Sequence, residues 1–202
     1  MLTQPSMAIR FKIYQSEYPY HIYNRVNNKE HIFNLQNDFP IFMNALRYIS
    51  QKTEFIPHHF ILMKNHFHLI GSTPKANLYQ FMHQFQTDIS RKLNQNKGRI
   101  NHIFGSRYGA TVISDEVYLV NVIRYLYQNV TDLKNGTLLD YNFSTLKIYF
   151  SDNWKAYGLD WDPYLKGLSA DKRLSALKEI SELFLPINEK EAMRKRLRNK
   201  SI

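Results

Sequence analysis

The stretch Ile61–Thr73, ILMKNHFHLIGST, constrains the fold of this chain more than any other. Lys64 and Asn65 form a turn between two apolar runs, so the segment reads as a β-hairpin with Phe55–Met63 as one strand and His66–Ile70 as the next. Residues i and i+2 of a strand point to the same face, about 6–7 Å apart. His66 and His68 therefore project together, while Phe67 and Leu69 pack the opposite face. Two imidazoles side by side can hold a metal ion, or hydrogen-bond neighbouring groups as ordinary half-buried histidines. The strand by itself leaves both open.

The flanking patterns supply the rest of a sheet. Tyr20–Val26 (YHIYNRV) alternates as a first strand and is ended by Asn27 and Asn28, with His31, Ile32 and Phe33 in a connecting turn. Phe39, Phe42, Met43, Leu46 and Ile49 fall at helical spacing after a cap at Asn37 or Asp38, with Pro40 in the first turn. Leu78, Phe81, Met82, Phe85, Ile89 and Leu93 make the stripe of a second helix that runs to about Asn96 and is closed by Gly98. A loop, His102–Tyr108, precedes a fourth strand at Ala110–Ile113. Ser114 or Asp115 then caps a third helix that runs through Val130.

The resulting order is β-α-β-β-α-β, which predicts an α+β, ferredoxin-like antiparallel sheet with helices packed on one face. Beyond Thr131 the pattern weakens. Tyr141–Phe150 is aromatic-rich, Trp154 and Trp161 flank a loop with Gly158 and Pro163, and Leu174, Leu177, Ile180, Leu183 and Phe184 suggest a final helix. We expect residues 1–135 to form the functional domain and 136–202 a mostly helical C-terminal extension with a basic tail.

Composition narrows the function. The chain has 202 residues, 44% of them hydrophobic, which suffices for one core of ordinary domain size. It has no cysteine, so disulfides and thiolate metal sites are excluded, and any metal is held by nitrogen and oxygen. No apolar run reaches the roughly 20 residues needed to span a bilayer, and the start, with Arg10 and Lys12, lacks a signal-peptide pattern. A cytoplasmic protein without a membrane partner is the expectation. The net charge of +10, with 14% aromatic residues, suits phosphate backbones and base stacking. Part of that charge is local: Lys190, Arg194, Lys195, Arg196, Arg198 and Lys200 stand against Glu191, a run of the kind that is usually a solvated tail.

Within the third helix, Tyr125 and Asn129 are four residues apart and share a face, while Tyr127 points elsewhere. Three other Tyr/Asn pairs repeat this spacing in the chain, so the pair matters only because its helix follows the histidine strand.

The segments YHIYNRVNNKEHIF, MKNHFHLI, HIFGSRYGATVISDE and RYLYQNV, in this order, resemble the REP-associated tyrosine transposases and the related single-strand insertion-sequence transposases of the HUH endonuclease superfamily. The resemblance covers about residues 20–130 and extends weakly through YNFSTL. It implies that His66 and His68 are metal ligands, that Tyr125 is a nucleophile and that Asn129 completes the metal shell. It further implies Mg²⁺ or Mn²⁺ as cofactor, and cleavage of DNA that leaves a 5′-phosphotyrosine and a free 3′-OH, reversed on another end to rejoin strands. Imidazole ligands lean toward Mn²⁺ or Zn²⁺ on softness grounds, whereas the resemblance favours Mg²⁺. Val130 stands where that family carries a proline, a change expected to alter how the helix ends and not the chemistry.

The expected partner is single-stranded or hairpin DNA, met by a monomer or a homodimer. Arg25, Arg91, Lys92, Arg99, Arg107 and Tyr108 are the candidate DNA contacts. His58, His59, His83 and His102 fit no motif and are assigned structural or DNA-contact roles. The competing reading is a non-catalytic, domesticated binder of single-stranded or hairpin nucleic acid on the same frame.

Overall fold

The computed structural model describes residues 15–16, 18–130, 140–151, 154–183 and 185–199. Arg10, Lys12, the expected boundary at 135/136, Phe184 and Lys200 lie outside the described residues, as do the side chains of Arg196 and Arg198.

Four strands, β1 (Pro19–Arg25), β2 (Ile56–Leu62), β3 (His66–Ser72) and β4 (Gly109–Val112), form one sheet in the order β2-β3-β1-β4 with every pair antiparallel. This is the ferredoxin-like order that the β-α-β-β-α-β pattern predicts. The two helices within that unit are α1 (Leu35–Thr53) and α2 (Leu78–Lys97).

Both helices cover the sheet face opposite His66 and His68. Phe42 of α1 and Phe85 of α2 pack on Phe67 of β3, with ring centroids 5.8 and 5.7 Å away, and Phe42 also meets Phe60 of β2 at 5.4 Å. Phe55 stacks on Phe81 at 3.8 Å. Each such ring removed from water contributes about 1.5–3 kcal/mol, so this aromatic layer is the main adhesive between helices and sheet.

Helix α1 starts earlier than its spacing suggested. Asn34, not Asn37 or Asp38, is the cap: its side chain accepts from the Asn37 amide, and Asp38 accepts from the Asn34 amide in return. Pro40 consequently sits in the second turn and removes one internal hydrogen bond. Apolar spacing begins at the first buried residue, and here the cap lies one turn before it. Helix α2 ends as expected, with Gly98 in the left-handed region at φ 61°. Its last residue, Lys97, pairs with Asp38 at 2.8 Å and ties the two helices together.

The chain after β4 crosses to the other face. Asp115 caps α3 (Glu116–Gln128) by accepting from the Tyr118 amide. The helix stops at Gln128, with Asn129 as its C-cap, and Val130 donates its amide to the Tyr127 carbonyl at 3.2 Å, a bond that proline could not make. Among the described residues four more α-helices follow: α4 (Thr145–Tyr149), α5 (Pro163–Gly167), α6 (Ala170–Glu182) and α7 (Ile187–Asn199). The expected single final helix is thus two, with exposed Leu183 at the end of α6. From Lys190 to Arg198 the basic run belongs to α7, which packs on β4 and α3 with Met193 buried, and is not a free tail.

Tyr141–Thr145 seals the outer edge of β2. The Leu62 amide donates to the Phe143 carbonyl, Tyr141 Oη donates to the Leu62 carbonyl, and Thr145 Oγ1 takes the Phe60 amide at 2.7 Å while donating to the Phe60 carbonyl. Tyr149 Oη caps the His58 carbonyl. An edge strand left open would template association, and here side chains of the extension close it. Among the described residues no helix is long and apolar enough to cross a membrane.

Candidate active site

Cross-strand pairing decides what surrounds the two histidines. Arg25 pairs with His66, Tyr23 with His68 and His21 with Ile70, so the odd residues of β1 share the histidine face. Helix α3 lies over that face. The Tyr125 ring meets His68 edge-on at 5.6 Å and His21 at 6.0 Å, so a residue 57 positions downstream is brought against the pair. Tyr23 stacks beside His68 at 6.0 Å.

Both histidines have one ring nitrogen engaged. His66 Nδ1 lies 2.7 Å from Asn65 Oδ1, and the Asn65 amide nitrogen donates to the Lys29 carbonyl. That second bond fixes which end of the amide faces His66: an oxygen, which accepts. His66 therefore carries its proton on Nδ1. His68 Nδ1 lies 3.0 Å from His21 Nε2 in a buried contact.

Burial holds these rings uncharged. It lowers His66 to about 4, aided by the nearby Arg25 charge, and His21 to about 3. His68 falls well below its ordinary value, first through burial and then through His21, His66 and Arg25. Neutral imidazole is the form that ligates metals.

Tyr125 is only 5% exposed. Burial raises its pKa, against the opposing pull of the Arg194 and Arg25 charges. Arg194, from α7, is near enough for its charge to act on the phenol. Asn129 turns its amide nitrogen back to the Tyr125 carbonyl at 2.7 Å. A cation at this residue would take the amide oxygen.

The other candidate residues divide between two regions. Arg25 lies on the histidine face, and the loop carrying Arg107 and Tyr108 is tied to the same end of β1 by the Asn24 side chain, which donates to the Ser106 carbonyl. Arg91 and Lys92 instead lie on α2, in the opposite layer, where both pair with Asp88. Arg99 pairs with Glu30 in an 820 Å³ cleft whose lining includes Lys64, Lys97 and the first turn of α1. His58 and His59 are structural: His58 bridges Ser72 and the Asp160 carbonyl, and His59 donates to Asp162 at 2.6 Å with its other nitrogen 2.9 Å from Tyr127 Oη. His83 stacks on exposed Tyr79.

Four residues of the site escaped the sequence reading: His21, Tyr23, Asn65 and Arg194. The alternation of YHIYNRV put His21, Tyr23 and Arg25 on one face of a strand, but which face depends on pairing with β3. From the sequence Asn65 reads only as a turn residue.

Among the described residues no group of three or more His, Cys, Asp and Glu is arranged to hold a metal ion by itself. An ion held here would take two neutral imidazoles, with the remainder of its shell left to an amide oxygen, water or a substrate phosphate. Such an open shell would suit a divalent ion that keeps exchangeable ligands.

Comparison with known proteins agrees with this architecture. A family model described as "Transposase IS200 like" matches residues 14–129, more than half of the chain. A solved structure of a REP-associated tyrosine transposase bound to a REP hairpin aligns with a TM-score of 0.58 at 14% identity, covering 77% of this chain and 93% of that one. A putative transposase from Deinococcus radiodurans R1 aligns over 63% of this chain and 98% of its own, with a TM-score of 0.41 at 13% identity. No curated protein matches. The first alignment supports the fold, the family match spans β1 through the Tyr125 helix, and the chain belongs to the IS200-like transposase family.

Proposed function

We propose that this transposase is a tyrosine-dependent DNA nickase and strand transferase acting on single-stranded or hairpin DNA. The observation that carries the reading is the contact of the Tyr125 ring with His68 on a shared sheet face. Tyr125 is the nucleophile. Its oxygen bonds to phosphorus as the bond to the 3′ oxygen breaks, and the phenolic proton is delivered overall to that leaving oxygen. The products are a 5′-phosphotyrosine and a free 3′-OH. The reverse attack by a 3′-OH rejoins strands and restores the phenol, so no nucleotide triphosphate is needed.

His66 and His68 are the ligands for a divalent ion, through Nε2, with the Asn129 amide oxygen as the third protein donor. An Mg²⁺ or Mn²⁺ ion held by these residues would supply Lewis-acid polarisation of the scissile phosphate. Arg25, the cross-strand partner of His66, takes a phosphate oxygen, and its charge, which acts on Tyr125, favours the developing phenolate. Arg107 and Tyr108 extend the contact surface for the strand. The bound state of the REP-associated relative supports a hairpin as the substrate form.

The burial of Tyr125, which raises its pKa, favours the second reading, a binder that does not cut. Incubation with a hairpin DNA library and Mg²⁺ or Mn²⁺, followed by denaturing electrophoresis, separates the two. A covalent adduct is expected from the wild type and none from Tyr125→Phe. Tight binding without an adduct establishes the binder, and an adduct that survives Tyr125→Phe removes Tyr125 as nucleophile.

A further inference from the structure

His21 and Asn65 belong to no motif, yet each meets the Nδ1 atom of one histidine of the pair. Asn65 does so from the β2–β3 turn and His21 from β1, two elements with no local sequence relation. The Asn65 amide is oriented by its bond to Lys29, so its oxygen receives the His66 Nδ1 proton and leaves the Nε2 lone pair bare. His68 is in the same position with respect to His21. Its Nδ1 is occupied at 3.0 Å, and only Nε2 remains for an external ligand.

An imidazole ligates metal as the neutral ring, and between two neutral rings the 3.0 Å His21/His68 contact holds one proton and has two arrangements. If His21 donates from Nε2, His68 carries its own proton on Nε2 and cannot ligate. If His68 donates from Nδ1, His21 Nε2 accepts and the His68 lone pair on Nε2 is free. His21 Nδ1 is buried without a hydrogen-bond partner among the described residues, so the far side of the ring locks neither arrangement: the first leaves a bare lone pair there and the second an unmatched N–H, and a cation on His68 Nε2 is what selects the second.

We infer that His21 and Asn65 are positioning residues, a pair of acceptors that fix His66 and His68 as Nδ1–H tautomers and so aim both Nε2 atoms at a divalent cation. The inference rests on the metal reading of His66 and His68. Neither residue touches the cation itself. Their effect is on ligand orientation and basicity, which in metal sites generally changes affinity by about 10–100-fold.

Titration calorimetry of the full chain with Mn²⁺ alone tests both levels. Wild type is expected to bind and His66→Ala to lose binding. His21→Phe and Asn65→Ala should each weaken the Mn²⁺ Kd by about 10–100-fold, and His21→Gln, whose amide oxygen reaches the position of Nε2, should recover most of the loss. Absence of Mn²⁺ binding by wild type, or unchanged binding by His66→Ala, overturns the metal reading and this inference with it. Wild-type binding that His21→Phe and Asn65→Ala leave untouched overturns the inference alone. A direct readout needs no variant: in the Zn²⁺-loaded wild type, imidazole ¹⁵N spectra should show His66 and His68 protonated on Nδ1, and a His68 proton on Nε2 refutes the assignment.

Discussion

The Tyr23 ring lies directly over the Cα of Gly109, so close that a Cβ at residue 109 would stand 2.1–2.6 Å from three of its atoms. The two residues are cross-strand partners on β1 and β4, and the same ring flanks His68 on its other side. Glycine at 109 is therefore what lets Tyr23 lie flat beside the histidine pair. Gly109→Ala should cost about 1–3 kcal/mol through overpacking, and should push Tyr23 against His68. Thermal unfolding and adduct formation are expected to fall together. Full adduct yield with an unchanged melting temperature would show that the ring yields without consequence.

His66→Ala should abolish adduct formation while leaving DNA affinity within a few-fold of wild type. Basic contacts to phosphates dominate affinity and carry its salt dependence, and the ion adds little to them. Filter binding across a salt series checks this. Parallel loss of binding and cutting in a folded variant contradicts it.

Asp162 anchors the extension to the sheet. Its Oδ2 accepts from fully buried His59, and its Oδ1 caps α5 through the Tyr164 and Leu165 amides. Burial raises the Asp162 pKa, yet the hydrogen bond and charge of His59 outweigh it and the net shift is downward. Removing one member of a buried pair strands the other, so Asp162→Ala should lose about 3–5 kcal/mol in denaturant unfolding. A loss under 1 kcal/mol would mean that the extension contributes little to the core.

Thr145→Val nearly preserves shape but deletes the hydroxyl that serves the Phe60 amide, the Phe60 carbonyl and Tyr127 Oη. Buried partners left unsatisfied cost about 1–3 kcal/mol. The variant should unfold earlier and, with its β2 edge loosened, aggregate sooner on heating. Light scattering during a melt reads both effects.

Acid should destabilise the protein before its carboxylates titrate. Burial lowers His58 from 6.5 to about 4, against the pull of Asp160 and Asp162. Between those values the unfolded chain holds the proton that the folded chain refuses, so stability falls as pH drops from about 6.5 toward 4. The slope is up to about 1.4 kcal/mol per pH unit for one such histidine. Melting temperatures recorded from pH 7 to pH 4 should decline, and His58→Asn should decline less steeply. Parallel slopes would remove His58 from the account.

Much of this architecture is local and therefore readable from the chain. The Lys64-Asn65 hairpin, the two aromatic helix stripes, Gly98 at the end of α2 and the Asp115 cap each depend on neighbours within a few residues. The α1 cap at Asn34 was missed because apolar spacing marks where burial begins, one turn after the helix does. The extension was blurred because its helices are short and because Tyr141, Thr145 and Tyr149 act through hydrogen bonds to a strand some 80–90 residues away.

The sequence by itself determined the alternation that puts His66 and His68 on one face, the order β-α-β-β-α-β, and the helix that carries Tyr125. Periodicity and capping are properties of successive residues, and they survive without knowledge of the fold. Only the tertiary structure decided that α3 crosses to the histidine face, that β1 pairs in the register that sets His21 against His68, and that Arg194 returns from α7 to meet Tyr125. Those are relations between distant segments. They arise because the sheet buries one face under α1 and α2, and the remaining apolar helices have only the other face on which to leave water.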